Sequence, residues 1–124
     1  MKRNEITPFG KFIRKFRIDR NLILKNMADS LGVSSAFLSS VENGKRNIPK
    51  DWENKISDIY NLNKEEKTEL INSIAITNNS INIDLNNVNN EKIQFVISLA
   101  RRLTDLSEED LKELEKITEE KENH

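Results

Sequence analysis

The sequence predicts an all-α protein, a compact five-helix domain followed by a helical C-terminal extension. Three observations lead there. Apolar residues recur at helical spacing in one window after another, and Ser, Thr or Asn stands where helices would start. Strict alternation of apolar and polar residues, the mark of a strand, occurs in one short stretch. A chain of 124 residues is one domain's worth with an appendage.

Thr7 reads as an N-cap with Pro8 at the first helical position, where the missing N–H costs nothing. Phe9, Phe12, Ile13 and Phe16 follow at i, i+3, i+4 and i+7, an amphipathic helix to about Arg20 that Asn21 ends. Leu24, Met27, Ala28 and Leu31 repeat the spacing in a shorter helix stopped by Gly32, with Val33 buried in the turn. Ser34 caps a third helix with Leu38 and Val41 inward, closed by Asn43-Gly44. Two short helices joined by Gly32-Val33-Ser34 have helix-turn-helix spacing. Ile48-Pro49 starts a fourth helix with Trp52, Ile56, Ile59 and Tyr60 on its apolar face and Leu62 packing beyond it. Asn63 with Glu66 forms a capping box for a fifth, with Leu70, Ile71 and Ile74 inside. Residues 1–77 thus form the first domain.

From Thr77 the composition changes. Residues 78–90 are asparagine-rich and read as a linker. Within it Ile81-Asn82-Ile83-Asp84-Leu85 alternates, so residues 81–85 can form a short strand, provided that it pairs with something. Residues 91–124 form the extension. Asn90 caps a helix with Ile93, Val96, Ile97, Ala100 and Leu103 on one face. Ser107 with Asp110 begins another, carrying Leu111, Leu114 and Ile117. Two such helices bury little by themselves and need the first domain, a second copy or another protein.

Composition narrows the function. No cysteine is present, which removes disulfides, thiolate metal sites and thiol nucleophiles, and the single histidine is the terminal His124. The opening Met1-Lys2-Arg3-Asn4-Glu5 leads into no apolar segment of a signal peptide, and no apolar run approaches the roughly 20 residues that cross a bilayer. Scattered helix-surface carboxylates are solvated charge, so neither an enzyme, a bound metal nor a cofactor is expected. A cytoplasmic binding protein is. The net charge of −1 hides a split. Residues 1–50 hold 11 Lys/Arg against 4 Asp/Glu, and residues 51–124 hold 9 against 17. Residues 104–124 alone carry 3 basic and 9 acidic groups. A basic half points to a polyanion, and an acidic end to solubility, autoinhibition or a basic partner.

The segment from Leu22 to Arg46 resembles the Xre family of phage-repressor-like helix-turn-helix proteins. Ala28, Leu31-Gly32-Val33-Ser34, Leu38-Ser39 and Glu42-Asn43-Gly44-Lys45-Arg46 carry the resemblance, which extends over residues 8–77. It implies a repressor-like helix-turn-helix fold that binds double-stranded DNA, with Ser34–Asn43 as the recognition helix in the major groove. Ser35, Ala36, Ser39 and Ser40 would face base edges. These side chains are short, so direct readout should be modest and DNA shape should carry more of the specificity. Ser34, Asn43, Lys45, Arg46 and Lys50 would contact phosphates. The plainer alternatives are exposed helix serines and an ordinary basic loop.

The resemblance also pairs Arg17 with Glu42 as a structural ion pair between the first and third helices. Phe37 and Trp52 read as core residues. Ile23 and Leu24 stand where the family usually has Thr or Ser and then Gln, so the second helix lacks a side-chain N-cap worth about 1 kcal/mol. Its backbone N-terminus can hold a phosphate instead. The function implied is a sequence-specific transcriptional regulator, a repressor binding a pseudo-palindromic operator as a homodimer with half-sites about 34 Å apart. The alternative is an antitoxin that represses its own operon and neutralises a basic toxin through residues 79–124, by charge complementarity and strand addition.

Overall fold

The computed structural model describes residues 5–122. Met1, Lys2, Arg3, Asn4, Asn123 and His124 lie outside the described residues. The chain is all-α, with seven α-helices, one 3-10 turn and no strand among the described residues. It divides into two compact units, one up to Asn82 and one from Ile83 onward.

The first unit holds α1 (Pro8–Asp19), α2 (Leu24–Leu31), α3 (Ser35–Glu42), α4 (Trp52–Ile59) and α5 (Lys64–Asn78). Helix α1 lies against α3 and α5, α2 against α3 and α4, and α4 against α5. Their converging faces bury Phe9, Ile13, Phe16, Met27, Ala28, Leu31, Leu38, Val41, Ile48, Trp52, Ile56, Leu62 and Leu70. Trp52 sits among aromatic rings, with the Phe9 and Phe37 ring centroids each 6.2 Å away. Removing this apolar surface from water drives the assembly.

The helix ends are built locally. Thr7 Oγ1 accepts from Gly10 N–H at 3.0 Å, and Ser34 Oγ from Phe37 N–H at 3.0 Å. Asn63 and Glu66 cap reciprocally, at 2.8 and 3.0 Å. Gly32 stops α2 at φ 73°, a left-handed geometry that glycine adopts without steric cost. Asparagine does the same work elsewhere: Asn21, Asn61 and Asn79 follow helices with positive φ, and Asn87 takes positive φ in the turn before α6.

Several details differ from the expectations of sequence. Helix α4 starts at Trp52 rather than at Ile48-Pro49. Ile48 precedes a proline, which disfavours helical backbone there, and Trp52 N–H instead closes a turn onto the Pro49 carbonyl at 3.1 Å. Ile59 and Ile71 do not face the core; they are 42% and 43% exposed. The inner stripe of α5 is Leu70, Ser73, Ile74 and Thr77, half of it hydroxylic. Ser73 Oγ donates to the Leu70 carbonyl at 2.8 Å, and Thr77 Oγ1 donates to that of Ser73 at 2.7 Å. Thr77 Oγ1 also accepts from Phe9 N–H at 3.0 Å, satisfying a free donor at the start of α1.

The second unit contains α6 (Asn90–Arg101), a 3-10 turn (Leu103–Asp105) and α7 (Glu108–Glu122). No side chain of these elements is buried. Asn89, not Asn90, caps α6, because its Oδ1 accepts from Lys92 N–H at 2.9 Å. Ser107 and Asp110 cap α7 reciprocally, at 3.0 and 3.1 Å. No strand forms at 81–85, since the described residues offer no second extended segment to pair with it. No helix among the described residues is long and apolar enough to cross a membrane.

Candidate nucleic-acid interface

Helix α3 is the centre of the candidate site. Its inner face, Leu38, Val41 and Glu42, is buried against α1 and α2. Of the outward positions, Ala36 is exposed and Ser35, Ser39 and Ser40 are half-buried. Ser40 Oγ donates to the Phe37 carbonyl at 2.7 Å, so its hydroxyl proton is used within the helix and its oxygen is left to accept. Ser34 Oγ is occupied as the acceptor of the helix cap, which leaves its hydroxyl proton free to donate.

The turn after α3 is tied back to the helix. Lys45 and Arg46 N–H both donate to the Ser40 carbonyl, at 2.9 and 3.2 Å, and Gly44 takes φ 76°. The Arg46 guanidinium lies over the Phe37 ring, 5.0 Å from its centroid, and Phe37 in turn stands edge-on to buried Trp52. The cation is thereby held beside the end of α3 by a chain of aromatic contacts that starts in the core. Lys45 and Lys50 are exposed with no ion-pair partner among the described residues.

Arg17 and Glu42 meet across α1 and α3. Arg17 Nη1 donates to Glu42 Oε2 at 2.7 Å and Nη2 to Oε1 at 3.3 Å, and the residues are 7% and 1% exposed. A forked pair of this kind compensates two buried charges at once. Sequence reasoning missed a third member. Arg14 Nε donates to Glu42 Oε1 at 2.9 Å, and its Nη2 reaches Asn43 Oδ1 at 3.4 Å. The signal was present, because Arg14 lies three residues before Arg17 and so shares its face of the helix. Asn43 Nδ2 extends the series to Ser39 Oγ at 3.5 Å.

Gly10 was missed too. A Cβ there would collide with the Glu42 backbone carbonyl, which accepts from Thr7 N–H and Thr7 Oγ1 at 3.0 Å each. The bare α-carbon lets α1 approach the end of α3. At the other end of the motif, Ile23 makes no side-chain cap and is 63% exposed, while Asn26 Oδ1 accepts from Ile23 N–H at 2.9 Å. Among the described residues no three His, Cys, Asp or Glu side chains converge closely enough to hold a metal ion.

Comparison with known proteins falls on the same motif class. Over 45 residues the chain is 44% identical to the uncharacterized HTH-type transcriptional regulator RghRB of Bacillus subtilis. Over 42 residues it is 45% identical to the HTH-type transcriptional repressor RghR of that organism. The matched stretches are 36% and 34% of this chain, and the chain spans about a third of the length of these curated relatives, 32% and 31%. No family model matches the chain. No solved structure matches it.

Proposed function

We propose that this chain is a DNA-binding transcriptional regulator of the phage-repressor-like Xre family, acting in the cytoplasm as a repressor and without enzymatic activity. One observation carries the reading. A capped two-turn helix, α3, packs its buried face against α1 and α2, turns Ser35, Ala36 and Ser39 away from the core, and is followed by a turn carrying the cations Lys45 and Arg46. Such a helix fits the major groove, and cations at its end neutralise phosphates on the flanking strand. The similarity to HTH-type regulators and the positive balance of residues 1–50 support it.

Within this reading Ser35, Ala36 and Ser39 meet base edges, and Ser40 contributes as an acceptor. Ser34, Asn43, Lys45, Arg46 and Lys50 meet phosphates. Arg17 and Glu42 stay inside the protein and keep α3 at its angle to α1. One such helix covers a short half-site, so the operator is a pseudo-palindrome bound by a homodimer, with half-sites about 34 Å apart.

Fluorescence-anisotropy titration of the full chain on DNA from its own upstream region, at several salt concentrations, tests the assignment. Replacing Lys45 and Arg46 by Ala should weaken binding to every sequence alike. It should also flatten the salt dependence by about one unit of slope for each phosphate that is no longer neutralised. An unchanged slope would remove both residues from the interface. Failure of the unaltered protein to prefer any upstream segment over random DNA would overturn the regulator reading.

A further inference from the structure

The buried apolar core lies wholly within the first unit, although Ile18, Ile23 and Ile76 stay exposed there, and the second unit buries no apolar side chain. Helices α6 and α7 are amphipathic, yet no side chain of either is buried. Helix α6 meets the 3-10 turn that follows it and does not lie along α7. Phe95 and Leu103 are 57% and 61% exposed, and Leu111 and Ile117 are 50% and 56%. A unit this close to the roughly 40-residue floor for independent folding has no core of its own with which to cover such faces.

Charge says what fits them. Helix α7 begins with Glu108, Glu109 and Asp110, and residues 104–124 carry 9 acidic groups against 3 basic ones. A second α7 is therefore a poor neighbour, since like charges would be crowded along the whole contact. Helix α6 is the opposite. It begins with Glu91 and Lys92 and runs out in Arg101 and Arg102. Laid antiparallel, the cationic end of α6 meets the acidic start of α7, and Glu91 meets Lys121 at the far end. Antiparallel packing also sets each positive helix N-terminus beside a negative C-terminus. Because α6 does not run along α7 within one chain, the complementary helix is supplied by a second copy.

We infer that two copies of this chain pair by helix exchange, α6 of each lying antiparallel to α7 of the other. Two-fold symmetry makes the contact twice, so each copy covers both of its apolar faces in one event. The inference deepens the homodimer in the proposed function and rests on that part of it alone, not on any DNA contact.

The test uses the full chain in the absence of DNA. It reads molar mass by light scattering behind size exclusion, with circular dichroism confirming that each variant keeps its helices. One variant carries Arg101→Glu and Arg102→Glu, the other Glu108→Lys and Glu109→Lys; all four side chains are exposed. The unaltered protein is expected at dimer mass. Each variant alone should dissociate about tenfold or more readily, because its α6 and α7 now share a sign. An equimolar mixture should return to dimer mass, since α6 of the first then meets α7 of the second and the reverse. Variants that dimerise like the unaltered chain, or a mixture that restores nothing, overturn the exchange and leave a dimer held by other surfaces. A monomeric unaltered chain overturns both the exchange and the homodimer, and frees these faces for a basic protein partner. Operator binding is read separately by anisotropy, so the two failures are told apart.

Discussion

In α1, Phe9 and Ile13 stand four residues apart and are fully buried, with Phe16 close behind. In α6, Ile93 and Ile97 stand at the same spacing, Ile93 half-buried and Ile97 42% exposed. Both helices are 12 residues long, and both are capped at the N-terminus by a side-chain oxygen. What separates them is company. The connections of the first unit bring α1 against α3 and α5, whereas no α-helix of its own unit packs closely along α6. Periodicity therefore makes a helix amphipathic, and convergence of several such faces makes a core. Charges follow the same division. Arg17 and Glu42 are buried as a pair, while α7 carries its acidic residues exposed.

The sharpest way to break this comparison is at the buried pair. Glu42→Ala should destabilise the first unit by about 3–5 kcal/mol in urea unfolding, because it leaves the Arg17 guanidinium buried without its carboxylate. Replacing both partners, Arg17→Met with Glu42→Leu, should recover most of that loss. If the double variant were as unstable as the single one, burial of an unpaired charge would not be the cause.

A pair of leucines measures the same contrast in apolar terms. Trp52 is the sole tryptophan and lies 2% exposed in the first unit, so its fluorescence reports on that unit. Leu38→Ala should shift the fluorescence-detected unfolding by about 2–5 kcal/mol. Leu111→Ala should move it by less than about 0.5 kcal/mol. A large effect of the second substitution would mean that the core of the first unit draws on the extension.

The smallest effect concerns pH. The Asn63 N–H donates to the Glu66 carboxylate and, with the Arg20 guanidinium 3.2 Å away, holds it below the ordinary glutamate value of 4.5 despite partial burial. A carboxyl with a lowered native pKa stabilises the fold fully above its unfolded value, and that stability is lost as pH falls through the native one. Glu66→Gln keeps a capping side chain but cannot titrate. The melting temperature of the variant should therefore fall less steeply than that of the unaltered chain as pH is lowered below about 4.5. Parallel curves would show that the cap does not depend on the charge.

These residues also show how far sequence reaches. Thr7, Ser34, Asn63 and Ser107 are legible as caps because a cap is made within three residues of itself. Gly32 is legible as a stop for the same reason. The cap of α6 falls one position before the expected Asn90, because either asparagine of an Asn-Asn pair satisfies the pattern and only backbone geometry chooses. The alternation at 81–85 is a real pattern, but a strand is a relation between two segments and the second is missing among the described residues. In the candidate interface the stretch from Ser34 to Lys50 stands out in the sequence, whereas the Arg46–Phe37–Trp52 stack does not.

By itself, then, the sequence determined the order of the helices, the caps of α1, α3, α5 and α7, the glycine stop of α2, and that α2 and α3 are joined by a three-residue turn. Those features depend on spacing, capping and left-handed backbone, all of which are local. Tertiary structure alone decided that Gly10 must be bare where α1 passes the Glu42 carbonyl. It decided too that Arg14 joins Arg17 on one carboxylate, and that Thr77 closes the unit by accepting from Phe9 N–H across 68 positions of chain. Contacts between distant segments depend on how several helices cross, and no window of the sequence contains more than one side of such a crossing.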